Sequence, residues 1–181
     1  LSSDLRVIGD RFPAPVKSAI LSTLSILLTR VPQFVKPFFP QLQRTFVKSL
    51  SDPSSLSVRN RAAAALGVLM VHQPRVDPLV TELTNLASTE EGDVRDSVVN
   101  GLANVVLGGG KNLSDGSKNA ILEVLGEAFA DTNKGTSSVL PSSTHPLTSF
   151  VFRALQPRHR SSRGRSRDRK STRLNSSHQY Y

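Results

Sequence analysis

Several groups of residues in this chain are of the types from which chemistry is built. Gly108, Gly109, Gly110 and Lys111 read GGGK, and a glycine run ending in lysine can cradle a phosphate. A Walker loop needs GxxxxGK followed by Ser or Thr, after a strand and before a helix. Here Asn112 follows, and the run closes an apolar helical stretch. The glycines therefore read as a linker that ends the helix by adopting positive φ. Glu90, Glu91, Asp93 and Asp96 offer oxygen ligands, but without the spacing, glycine and terminal Glu of a calcium loop. Acids at a helix start are accounted for by the macrodipole. His72 has Arg75 and Val76 at i+3 and i+4, so no second metal ligand stands beside it. Ser, His and Asp all occur, yet there is no G-x-S-x-G elbow and no strand to carry one. There is no Cys, which removes disulfides, thiolate catalysis and cysteine-based metal sites. The expectation is a chain that is not an enzyme, with no catalytic, cofactor-binding or metal-ligating residues and no small-molecule ligand.

What remains is a set of cations at repeating positions, and these point to the elements that carry them. From Phe12 to Phe129 apolar residues recur at helical spacing, as in Val58, Ala62, Ala65, Leu66 and Leu69, or Val94, Val98, Gly101, Leu102 and Val105. Six amphipathic helices are expected, at about 13–30, 37–51, 57–71, 76–87, 93–107 and 114–129. Pro13, Pro15, Pro37, Pro40 and Pro78 fall where a first helical turn tolerates a residue without an amide donor. Asp93 and Asp115 stand near helix starts, where capping and the dipole favour an acid.

The pattern V-R-x6-L-[GA] occurs at Val58, Arg59, Leu66 and Gly67, and again 36 positions on at Val94, Arg95, Leu102 and Ala103. A weaker copy, Val16, Lys17 and Leu24, lies 42 positions before Val58. Such periods belong to stacked helix pairs. The tetratricopeptide alternative wants Trp and Tyr, and this chain has no Trp and no Tyr before Tyr180. HEAT-type units fit better. Arg59, Arg95, Leu66 and Leu102 are accordingly read as a structural ladder, the arginines pairing with acids of the neighbouring repeat because inward charges persist only when paired. Arg61 points elsewhere and is a candidate partner-binding residue. Lys36, Arg44 and Lys48, at spacings of 8 and 4, can lie along one helix face or its edge and are further candidates; a merely solvated face is the competing reading.

The formal net charge of +9 is unevenly placed. Residues 1–134 carry 14 Lys and Arg against 13 Asp and Glu, whereas residues 135–181 carry 9 against 1. A near-neutral fold with a basic tail is the outcome. Residues 168–178 read DRKSTRLNSSH, a string similar to the in-frame translation of a common short-read sequencing adapter. The tail is thus expected to be partly non-native. The alternative is a genuine Arg-rich arm from Arg153 to Arg173 that binds RNA phosphates without sequence preference and stays disordered.

The stretches FVKPFFPQLQRTF at Phe34–Phe46, KSLSDP at Lys48–Pro53, VRNRAAAALGVL at Val58–Leu69, RVDPLVTEL at Arg75–Leu83 and VRDSVVNGLANVVLGGG at Val94–Gly110 resemble one family. They look like the C-terminal HEAT array of the translational activators of general amino-acid control. The likeness fades after about Phe129, and Lys17 departs from the arginine of the later repeats. The resemblance implies a cytoplasmic scaffold that binds ribosomes and activates the kinase of initiation factor 2 alpha during amino-acid starvation. It also implies that this segment lies in or near the part that docks the kinase's RWD domain.

These readings define the expectations. The fold is all-α, a right-handed α-solenoid of about three HEAT helix pairs with a disordered basic C-terminal tail. Residues 1–11 are a lead-in, 12–134 the array and 135–181 the tail. Position 1 is Leu and the only Met is Met70, so a piece of a longer protein is expected. No run of about 18 apolar residues occurs, and no membrane partner is expected.

Overall fold

The structure, a computed structural model, describes residues 12–133 and residue 151. The lead-in and nearly all of the basic tail, with its adapter-like string and its arginine-rich arm, lie outside the described residues. Among the described residues there are helices and no strands, and the chain is an all-α stacked array. The helices are α1 (Ala14–Arg30), α2 (Pro32–Val35), α3 (Phe39–Leu50), α4 (Leu56–Val71), α5 (Asp77–Thr89), α6 (Gly92–Gly109) and α7 (Asp115–Asn133), with 3-10 turns at Lys36–Phe38 and Gly110–Asn112.

Proline sets the first boundaries. Pro13 stands in extended conformation as the N-cap of α1, with Pro15 in the first turn. At the other end Val31 leaves helical geometry, with φ −139° and ψ 51°, immediately before Pro32, as the clash between a proline ring and the preceding residue requires. The expected helix from 37 does not begin there. Pro32 opens the four-residue α2, Pro37 sits inside a 3-10 turn, and α3 starts only at Phe39. Pro37 and Pro40 each remove an amide donor, so no continuous α ladder can run through both. Past that point α3 is strongly amphipathic. Phe39, Leu42, Phe46 and Leu50 are buried, while Gln41, Arg44 and Lys48 are exposed.

Two layers result. Helices α1, α4 and α6 lie side by side, α4 against α1 on one flank and α6 on the other. The second layer places α3 against α4, and α5 against α6 and α7. A helix covered on several sides needs apolar residues around most of its girdle. Helix α4 has them, burying Val58, Ala62, Ala63, Ala65, Leu66, Leu69 and Met70. Val151, from the stretch read as tail, is helical and fully buried in the same core.

The glycines of α6 overturn one expectation. Helix α6 continues through Gly109, and Gly109 and Gly110 have φ of −118° and −56°. Among the described glycines only Gly92, at the start of α6, has a positive φ, at 57°. Close packing explains Gly108 and Gly109 instead. A Cβ at Gly108 would sit 2.0 Å from the carbonyl oxygen of Gly67, and one at Gly109 would sit 2.8 Å from Val76 Cγ2. No single described helix is long and apolar enough to cross a membrane.

Candidate docking face

Helices α1, α4 and α6 carry Lys17, Arg59 and Arg95, one per helix, at equivalent repeat positions. Lys17 Nζ donates to Asp52 Oδ2 at 2.7 Å, and both residues are buried. The other oxygen, Asp52 Oδ1, accepts the backbone N–H of Ser54 at 2.8 Å and also the Ser54 hydroxyl. Burial alone would raise the Asp52 carboxyl, but the hydrogen bonds from Lys17 and Ser54 outweigh it and hold the group below its ordinary value.

Asp52 also joins the next rung through its backbone. Arg59, only 4% exposed, donates from Nη1 to the Asp52 carbonyl at 2.9 Å and from Nε to Ser97 Oγ at 2.9 Å. Its Nη2 lies 3.8 Å from Asp93 Oδ2, a carboxylate at the exposed start of α6. A polar chain thus runs from α1 through the α3–α4 loop to α4 and on to α6. Arg95 continues the series with Nη2 3.5 Å from Glu127 Oε2 on α7, at a wetter site where a pair contributes little. Leu66 and Leu102, seven residues after Arg59 and Arg95 on the same helices, have no exposed surface.

The remaining candidates have different surroundings. Arg61 is exposed and donates from Nη1 to Ser22 Oγ across the α1–α4 seam. It borders an open cleft of about 430 Å³ with Ser18, Ser22, Ser55 and Ser57. Among the described residues no carboxylate pairs with it. Arg44 and Lys48 are exposed one turn apart on α3, but Lys36 lies in the 3-10 turn before that helix. The three therefore do not share a helix face, because Pro37 and Pro40 break the segment between them. The exposed cations can attract an acidic partner. Among the described residues no group of three His, Cys, Asp or Glu side chains is placed to hold a metal ion.

Two members of the ladder, Asp52 and Ser97, are not among the residues that the sequence singles out. Asp52, in the D-P ahead of α4, and Ser97, two residues after Arg95, carry no local mark of a role in the ladder. Asp96 is half-buried, and burial followed by the nearby Asp93 carboxylate raises its pKa. The cue for Asp52 was Lys17 itself, since a lysine at a buried repeat position implies an acid within reach. His72 caps the end of α4 and packs against Phe39, with ring centroids 6.4 Å apart.

Comparison with known proteins adds to this geometry. The chain is 47% identical over 131 residues to the eIF-2-alpha kinase activator GCN1 of Saccharomyces cerevisiae, covering 71% of this chain and 5% of that protein. It is 44% identical over 122 residues to the stalled ribosome sensor GCN1 of Homo sapiens, covering 67% of this chain and 4% of that protein. A third relative, protein ILITYHIA of Arabidopsis thaliana, is 43% identical over 121 residues, again 67% of this chain and 4% of that protein. No family model and no solved structure matches the chain.

Proposed function

Because the chain belongs to the GCN1 family, as a segment spanning 5% of the yeast relative's length, we propose that it is a non-catalytic HEAT-repeat scaffold segment of a ribosome-associated activator of the initiation factor 2 alpha kinase. The observation that carries this reading is the 47% identity to the yeast kinase activator across 71% of the chain. The stacked helices, the helix-to-helix ion pairs and the recurring V-R-x6-L-[GA] pattern support the HEAT assignment. The relatives' names describe activation and sensing, which fits a protein that positions others.

In this reading the segment works by geometry. It holds the kinase's RWD domain near a ribosome in the cytoplasm during amino-acid starvation, and so raises the effective concentration of kinase at the signal. Arg59 and Arg95, with Leu66 and Leu102, keep the array stiff. Arg61, with its cleft of serine hydroxyls, and the exposed Arg44, Lys48 and Lys36 offer positive charge to an acidic partner surface.

Retention of the purified RWD domain by the 181-residue chain tests the docking step. Arg61→Glu is expected to lower retention about tenfold, the loss of roughly one charge-assisted contact, and the triple change Lys36→Glu, Arg44→Glu, Lys48→Glu to lower it further. If both variants retain the domain as the parent does, these cations have no part in docking. If the parent itself retains none, the kinase docks on another part of the family's length.

A further inference from the structure

We propose that the cleft between α1 and α4 is a phosphoryl site, and that its occupant is a phosphate group carried on Ser57 of the chain itself. This inference stands on the hydroxyls of the cleft and not on the kinase-activator reading.

The hydroxyls of α1 divide into two kinds. Thr23, Ser25 and Thr29 each donate to the carbonyl four residues back in their own helix, the usual local partner of such a side chain. Ser18 and Ser22 turn to α4 instead. Ser18 Oγ lies 3.5 Å from Ser57 Oγ, and Ser22 Oγ accepts from Arg61 Nη1. Ser55, the N-cap of α4, makes no side-chain capping bond and lines the same cleft. Four hydroxyls and a guanidinium therefore surround about 430 Å³ of open space.

Together they form a set of donors. A guanidinium only donates, a hydroxyl can donate, and the lining contains no carboxylate. Such a set fits a tetrahedral oxyanion, with the fork of Arg61 on its oxygens and the serine hydroxyls on the rest. A divalent cation would find no carboxylate there to bind it.

Ser57 is the hydroxyl placed to carry the group. It is exposed, whereas Ser18, Ser22 and Ser55 are half-buried. Arg61 stands four residues after it on α4, the spacing at which side chains of one helix meet. A protein kinase would supply the phosphoryl group from a nucleoside triphosphate. The bond from Ser57 Oγ to the γ-phosphorus forms as the bond to the departing nucleoside diphosphate breaks, and the hydroxyl proton passes to the kinase's base. The phosphoserine carries about −1.5 to −2 charge at pH 7, with three acceptor oxygens. A lone exposed arginine holds a free anion weakly, and covalent attachment supplies the effective concentration that a free anion lacks. The outcome is a staple across the α1–α4 seam, with Ser18 and Ser22 donating from one helix and Arg61 from the other.

Two measurements test the assignment. In the first, phosphoserine is installed at position 57 of the 181-residue chain, with Arg61 present and with Arg61→Ala, and its phosphorus resonance is followed against pH. A neighbouring guanidinium favours the dianion, so the second phosphate pKa is expected to be lower by about 0.5 or more when Arg61 is present. Phosphoserine at position 88, exposed on α5, is the control and should not respond to Arg61→Ala. Equal pKa values at position 57 with and without Arg61 overturn the proposal.

In the second, the natural protein is isolated from its source cells with phosphatases inhibited, and its tryptic peptides are sequenced by mass spectrometry. Residues 49–59 form one such peptide, and fragment ions separate Ser57 from its other serines. Phosphate on Ser57 is the expected result, and a peptide without it in growing and stressed cells alike overturns the assignment. If that peptide is bare and the unmodified chain binds inorganic phosphate only when Arg61 is present, the cleft serves a free anion and Ser57 is not its carrier.

Discussion

Gly108 and Gly67 bring two helices into backbone contact, since a Cβ on Gly108 would lie 2.0 Å from the Gly67 carbonyl oxygen. The reverse approach is nearly as tight, with a Cβ on Gly67 falling 2.8 Å from the Asn104 carbonyl oxygen. The obstructing atoms are backbone on both sides, so neither helix can yield by a rotamer change. The α4–α6 seam is fixed at a separation that only glycine permits.

Gly108→Ala is therefore expected to destabilise the array by about 1–3 kcal/mol or more, as overpacking does. Gly126→Ala is the matched control. A Cβ there meets nothing within 4 Å, and the residue is inside α7, so the change should stabilise by about 0.5–1 kcal/mol through helix propensity. Urea unfolding of the two variants should move the midpoint in opposite directions.

Asp52 gives the acid limb of stability a specific origin. Its carboxyl is held below the ordinary value in the folded chain, so its contribution is present above the unfolded pKa and is lost as pH falls through the folded one. Asp52→Asn leaves Lys17 buried without a counter-charge and should cost about 3–5 kcal/mol at neutral pH. The variant's stability should also fall less steeply than the parent's on acidification. An undiminished acid dependence in the variant would mean that other carboxylates set it.

Asp96 behaves in the opposite sense. Its pKa is raised, first by burial and then by Asp93, so the folded state binds its proton more tightly than the unfolded state does. Ionisation then disfavours folding, and stability drops as pH rises through the unfolded value to the folded one. Asp96→Asn should raise the melting temperature at pH 7 and give no gain at pH 3, where the parent carboxyl is already protonated.

The rungs of the ladder should differ in worth. Arg59→Lys keeps the charge but loses the guanidinium fork that serves Asp52 and Ser97 together, and about 1–3 kcal/mol should be lost with the buried carbonyl left unsatisfied. Glu127→Ala, at an exposed carboxylate facing Arg95, should stay within about 1 kcal/mol of the parent. Chemical denaturation of both variants measures the difference.

Leu66→Ala and Leu102→Ala each remove a side chain with no exposed surface, and each should cost about 2–5 kcal/mol. A cost well under 1 kcal/mol for either would show that the core closes around the missing atoms.

Much of this architecture was written along the chain. The 3.6-residue recurrence of Val58, Ala62, Leu66 and Leu69 marks a helix with a buried face, and Pro15 and Pro78, though not Pro37, mark first helical turns, because periodicity and missing amide donors are local properties. The repeat of Val-Arg at 58 and 94 likewise identified equivalent positions before any neighbour was known. Tertiary structure decided what each face meets. Lys17 finds Asp52 at a separation of 35 residues, Arg59 finds Ser97 at 38, and Gly108 needs its missing side chain because Gly67 is there. A glycine run reads the same in sequence whether it frees a turn or admits a neighbouring backbone. Only the packing of α4 on α6 selects the second role, since the excluded volume that requires glycine belongs to another helix.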